Sequence, residues 1–556
     1  MSFKSLPLKE FVGIIIILAL ALSLYSHTVR FGFVWDDEKL IEKNPYIKNP
    51  IFIPRYFITD IFLLSFEPHQ SLYYRPLLLF SFQFDYSIWG LNAAGFHLMN
   101  ILLFLMVSAL VYAFIKNVSN SKKIAFFTAV LFIIHPINVQ TVSWISGRNE
   151  VLLTIFLLAS FILFKKSLAT PQPFKRIAFY LFSVLMFAFG LLSKEAAASL
   201  PLILIFYDYC FICNYKFSKL LKNLRDYIPY MLILLIYLYV RQAIFEDMAG
   251  VRIRPFKVMP PVTLLILNLK SIPFYIKSIL LPFPIEFQAF KMPTLDTMDL
   301  QAIISTLIIS IFIFYLFKYK PPLREEVFFL GWFIIFSVPI LFIGVLMGTR
   351  FLVLPIVGLF GFSSLFLARW IRRKRPIKIK FIFYALLLAV IFSYGFSSYK
   401  TSFHWKDNQS ILKLMLKRYP NDSDVHYNIG WLCAELGDLE KAIKEYKIAL
   451  ALKNDHTRAR FNLAHAYYNL GRMDDAISEF KMTLSQDNSM PYVHQALAVI
   501  YSNKGLYEEA VGEVKAELSL NANRLKMLEF LADLYEKAGE EDKARKINKL
   551  LLKNYY

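Results

Sequence analysis

The chain has 556 residues, 57% hydrophobic and only 19% charged, with 54 phenylalanines and a net charge of +21. Soluble domains carry about 25% charged residues, so a string of soluble domains is excluded and a polytopic membrane protein is indicated. Residues 401–556 hold 22 basic and 22 acidic residues, so the whole basic excess lies in residues 1–400. That is where the positive-inside rule puts it, and it argues against a nucleic-acid-binding face.

The first apolar run covers 11–29. Gly32-Phe33-Val34-Trp35 after it is no small-residue cleavage site, so the run is expected to stay as an anchor. Further apolar segments cover 94–115, 124–140, 142–164, 177–193, 196–213, 227–245, 262–281, 300–317, 327–347, 351–368 and 379–399. Basic clusters such as Lys116/Lys122/Lys123 and Arg369/Arg372/Arg373 separate some of them and mark cytoplasmic loops. The segment 262–281 holds Lys270, Pro273 and Lys277 and makes a poor span, so it is expected at the interface or as a re-entrant piece. About eleven spans then run from an inside N-terminus to an outside C-terminus.

The last stretch changes character. Gly437, Gly471, Gly505 and Gly539 recur every 34 residues, as do Ala442, Ala476, Ala510 and Ala544. Gly430, Ala464, Ala498 and Ala532 keep the same step, while Tyr446 and Phe480 decay to Val514 and Asn548. This period resembles the tetratricopeptide repeat, a helical hairpin per repeat stacked into a solenoid that binds polypeptide. Cys210, Cys213 and Cys433 cannot build a disulfide framework, and Cys210-x-x-Cys213 at the end of a span is read as packing.

With this topology, one outer face collects ionisable groups. The outer loop of about 30–93 opens Trp35-Asp36-Asp37-Glu38 and carries Tyr73-Tyr74-Arg75-Pro76. Later turns hold His135-Pro136-Ile137-Asn138, Trp144-Ile145-Ser146-Gly147-Arg148-Asn149-Glu150, Ser193-Lys194-Glu195 and Gly348-Thr349-Arg350. Ionisable groups at membrane depth are costly and therefore functional candidates. A carboxylate just outside the bilayer can serve as general base, and several cations beside it can hold the phosphate of a lipid-borne donor. The competing reading of Asp36-Asp37 is a helix N-cap.

Together these motifs, with Gly95-Phe96-His97-Leu98-Met99-Asn100 and Arg350-Phe351-Leu352-Val353-Leu354-Pro355, resemble the transmembrane and TPR-containing O-mannosyltransferases of the GT-C superfamily. The resemblance implies an all-α fold, with a GT-C-like membrane domain over 1–400 and about four repeats over 401–556. It implies sugar transfer from a polyprenyl-phosphate donor to an acceptor, protein hydroxyls favoured, at the extracytoplasmic face. The catalytic carboxylate would fall on Asp37 or Asp36, with Asp37 preferred. Donor binding would involve Arg75, His135, Arg148, Glu150, Lys194, Glu195 and Arg350. A divalent metal on Asp36, Asp37 and Glu38 stays open. The expected partners are the polyprenyl-phosphate-linked sugar, the lipid bilayer and a protein on the repeats, with no nucleic acid. The expected location is a bacterial cytoplasmic membrane. The alternative reading is a non-catalytic TPR scaffold for an envelope complex.

Overall fold

The structure is a computed structural model that describes residues 8–59, 73–245, 323–343, 347–372, 376–488, 492–519 and 524–554, parts of 272–289, and isolated positions. The described residues are almost entirely helical, apart from one two-residue antiparallel ladder that pairs Gln288 with Gly348 and Ala289 with Met347. They divide into two compact units, Met1–Asp407 and Asn408–Tyr556.

In the first unit, eight helices among the described residues are long and apolar enough to cross a membrane, or up to nine with one bent pair. They include Glu10–Arg30, Ala93–Ser119, Ile145–Ala169, Pro173–Ser193, Thr349–Arg372 and Ile377–Trp405. This is a multi-pass membrane protein. The apolar segments 262–281 and 300–317 lie almost wholly outside the described residues. One expected span is broken. The run 124–140 folds as helix Lys122–Ile134, then bends by 54° into Pro136–Ser143. Pro136 has no amide hydrogen to continue the ladder and forces His135 into an extended conformation, at φ −74° and ψ 130°.

Aromatic side chains fill much of the interhelical space. Phe114 meets Trp332 at 4.5 Å and Phe161 at 5.0 Å between ring centres, and Phe161 meets Phe328 at 5.5 Å. Buried hydroxyls tie helices where lipid offers no hydrogen-bond partner. Ser160 Oγ donates to Ser183 O at 2.7 Å, Ser183 Oγ donates back to Ser160 O at 2.6 Å, and Tyr230 OH joins them at 2.7 Å. Cys210 and Cys213 are buried free thiols, in keeping with a packing role.

The second unit holds four helical hairpins: Ser423–Glu435 with Leu439–Leu452, Thr457–Asn469 with Met473–Gln486, Val493–Asn503 with Tyr507–Ser519, and Arg524–Lys537 with Glu541–Asn554. Each hairpin turns on the periodic glycine, at φ 82°, 76°, 76° and 77° for Gly437, Gly471, Gly505 and Gly539. Only glycine takes that left-handed conformation without strain. Ala442, Ala476, Ala510 and Ala544 are buried where the helices cross, as are Tyr446, Phe480 and Val514. Asn548, at the same step in the fourth hairpin, is exposed. A second 34-residue pattern appears in three dimensions. His426, Arg460 and His494 pair with Glu445, Glu479 and Glu513 at 2.7, 2.9 and 2.6 Å. In the fourth repeat the same positions are Leu528 and Ile547, an apolar end to the ladder.

Candidate functional site

The turn after the first span carries the carboxylates in a strained backbone. Trp35 sits at φ 59°, a left-handed conformation that a bulky residue adopts only when its surroundings impose it. Asp37 supplies that imposition. Its Oδ2 accepts from Val34 N at 3.1 Å, and its Oδ1 accepts from Ser146 N at 2.8 Å and Ser146 Oγ at 2.5 Å. Asp37 is fully buried, and that burial pushes its carboxyl up to about 7 despite the three hydrogen bonds. Asp36, next to it, is half-exposed, and its charge acts on Arg350. Adjacent residues therefore have unlike surroundings: Asp37 pins the turn to residue 146, and the charge of Asp36 is felt at Arg350.

The Trp144–Glu150 motif forms the wall behind this turn. Trp144 Nε1 donates to Val34 O at 3.2 Å. Gly147 is required because a Cβ there would lie 2.7 Å from Gln140 O. Arg148 is fully buried and committed to protein partners. Its Nε donates to Asn100 Oδ1 at 2.6 Å, Nη1 to Ser81 O at 3.3 Å, and Nη2 to Phe96 O at 3.0 Å, and it pairs with Asp85 Oδ2 at 2.5 Å. The donor-binding role expected for Arg148 finds no support in these partners; it locks helix Pro76–Trp89 to the spans.

His135 is likewise spoken for. Its Nδ1 accepts from Ile137 N at 3.2 Å, so Nε2 carries the proton and faces Ile279 O at 3.0 Å. Both nitrogens hold the break in the third span rather than a ligand.

The remaining expected residues do come together. Lys194 pairs with Glu150, both buried, and lies 4.6 Å from the centre of the Phe351 ring. Arg75 pairs with Glu195 at 3.1 Å and lies 4.3 Å from the Tyr73 ring, while its Nε has no hydrogen-bond partner among the described residues. Arg350 lies 5.0 Å over the Trp144 ring, within the influence of Glu150, Tyr73, Asp36 and Arg75. Glu195 in turn feels Arg75, Lys194 and Arg241. Among the described residues, the cations Arg75, Lys194, Arg241 and Arg350 thus stand with the carboxylates Asp36, Glu150 and Glu195.

Asp85 and Arg241 were missed from the sequence. Each is a lone ionisable residue inside an apolar helix, which was the available signal. The metal left open on Asp36, Asp37 and Glu38 does not fit. Asp37 uses both oxygens on the turn, Glu38 lies 3.9 Å from Lys43, and no three such side chains converge among the described residues.

Comparison with known proteins agrees with the resemblance read from the sequence. A Caenorhabditis elegans protein O-mannosyl-transferase is 25% identical over 461 residues, covering 79% of this chain and 62% of that protein. Mouse TMTC1 (Mus musculus) is 31% identical over 214 residues, covering 35% of this chain and 22% of that protein. Human TMTC2 (Homo sapiens) is 30% identical over 207 residues, covering 36% and 24%. These relatives are protein O-mannosyl-transferases. The chain spans less than two thirds of the length of each. The tetratricopeptide repeat family model matches residues 434–500. Among solved structures, the Archaeoglobus fulgidus oligosaccharyltransferase tethered with an acceptor peptide covers 71% of this chain and 55% of its own, at 14% identity and a TM-score of 0.41.

Proposed function

We infer that the chain is a membrane glycosyltransferase that moves a sugar from a polyprenyl-phosphate donor to an acceptor hydroxyl, with the repeats recruiting the protein that bears it. The observation that carries this reading is the charged cluster beside the half-exposed Asp36. Fixed cations gathered at one place suit the negative charge of a polyprenyl-phosphate sugar, whose phosphate sits at headgroup level. Asp36 takes the proton of the acceptor hydroxyl as its oxygen attacks the anomeric carbon. The bond from that carbon to the phosphate oxygen breaks, and the departing phosphate gains charge. Arg350, Arg75 and Lys194 stabilise it, which is where fixed cations contribute most. Asp37, preferred from the sequence, is reassigned here to holding the turn.

The basic short loops support a site and repeats on the extracytoplasmic side of the membrane. A scaffold for an envelope complex has no use for such a cluster. The test is transfer from a panel of labelled polyprenyl-phosphate sugars in membranes containing the chain. Transfer from one of them, dependent on Asp36, supports the reading; transfer from none overturns it.

A further inference from the structure

The chain leaves its last span through Phe403-His404-Trp405-Lys406, a segment outside every motif that drew attention in the sequence. It is built into the carboxylate turn. Gly32 N donates to Lys406 O at 3.1 Å. Just upstream, His27 Nε2 lies 2.5 Å from Ser402 Oγ, and the His27 ring stacks on Phe403 at 4.8 Å. Trp405 is buried and stacks on Trp144, 5.3 Å between ring centres and 21° between planes. Trp144 is also the residue that carries the Arg350 guanidinium over its ring and donates to Val34 O.

We propose that Trp405 is a positioning residue of the site: stacked on Trp144, it fixes where Arg350 stands and holds the Asp36–Asp37 turn through Val34. The physical case rests on what an indole pair can do. Two flat rings in contact define an orientation as well as a distance, so the Trp144 plane cannot tilt without breaking the stack. Arg350 follows that plane, because a guanidinium is attracted to the face of an indole and not to its edge. The Trp144 Nε1–H also lies in the plane, so a tilt would withdraw it from Val34 O and loosen the turn at its strained residue, Trp35. Misplacing a reacting group by about 1 Å can cost about 10²-fold in rate. The repeat unit begins at Asn408, so this same segment is the covalent route from the repeats to the site.

The consequence for transfer rests on the glycosyltransferase reading; the mechanical coupling does not. The test uses the full chain and its Trp405→Leu, Trp405→Phe and Trp405→Ala variants. Leu keeps an apolar side chain in place but cannot stack, and Phe restores a ring. Hydrogen exchange should quicken at least tenfold at the Val34 and Ser146 amides in the Leu and Ala variants, with repeat amides unchanged and Phe near wild type. For transfer from a polyprenyl-phosphate sugar, the Leu variant should raise donor KM about tenfold or more, and Phe should rescue it. If Ala does not fold, the Leu and Phe pair decides the matter. Wild-type exchange at both amides in Trp405→Leu overturns the proposal. If wild-type chain transfers no sugar, the functional reading fails, and the exchange data still decide the coupling.

Discussion

Replacing Arg148 with Met distinguishes a buried strut from a ligand-binding cation. The side chain is fully buried with Asp85, which is itself fully buried. Met retains length and apolar volume but removes the donors to Asn100, Ser81 and Phe96 and the charge opposite Asp85. The dominant loss is the Asp85 carboxylate left without its cation, which for a buried pair amounts to about 3–5 kcal/mol. That corresponds to a fall of roughly 10²- to 10⁴-fold in the folded-to-unfolded ratio. Adding Asp85→Leu removes the orphaned charge, and apolar replacement of both partners is often close to neutral. The double variant should therefore recover part of the loss and stay below wild type, since each buried oxygen of Asn100, Ser81 and Phe96 left without a donor costs about 1–3 kcal/mol. Thermal unfolding of the purified chain in detergent measures the stability, and donor binding is measured on the folded fraction. An Arg148→Met chain as stable as wild type but unable to bind donor would refute the strut and restore a ligand role.

Other outcomes follow from the same geometry. The Asp37 carboxyl is pushed up to about 7 by burial, against about 3.9 in an unfolded chain, so between those values the native state holds a proton that the unfolded state has lost. Its contribution to stability therefore falls as pH rises from about 4 to 7 and levels off above, and the difference in melting temperature between wild type and Asp37→Asn should shift towards Asn over that range; a flat difference contradicts it. Gly471→Ala, at φ 76°, should lower the stability of the repeat unit by about 1 kcal/mol in urea unfolding, and no change would be contrary. A chain ending after Asp407 should keep donor binding, whereas one ending after Ser402 should bind donor about tenfold or more weakly for want of the Trp405 stack; equal binding by both would contradict the role given to Trp405.

Much of this architecture could be read from the sequence, and what escaped has a common cause. The repeats were legible because the local demand recurs: every hairpin needs a left-handed glycine and a small residue at the crossing, as Gly471 and Ala476 show. The motif turns were legible because ionisable residues are rare in apolar surroundings, and Lys194, Glu150, Arg75 and Glu195 do meet. Pairing was not legible. Nothing local ties Arg148 to Asp85 or Trp405 to Trp144, since each partner lies far along the chain and only the packed spans bring them together. Burial split Asp36 from Asp37 for the same reason: the hydrogen bonds that fix Asp37 come from Ser146 on another element. The His/Arg–Glu ladder of the repeats escaped because two chemically different cations share one position.

Single-turnover transfer from a polyprenyl-phosphate sugar with purified wild-type, Asp36→Asn and Asp37→Asn chains shows whether Asp36 is the base of the sugar transfer. Asn retains the shape of the side chain and removes its basicity. Asp36→Asn should fold and bind donor normally while transfer slows by about 10²–10⁴-fold, the range for a lost general base. Asp37→Asn should lose less, through a loosened turn. Wild-type turnover by a folded Asp36→Asn chain would exclude Asp36 as the base.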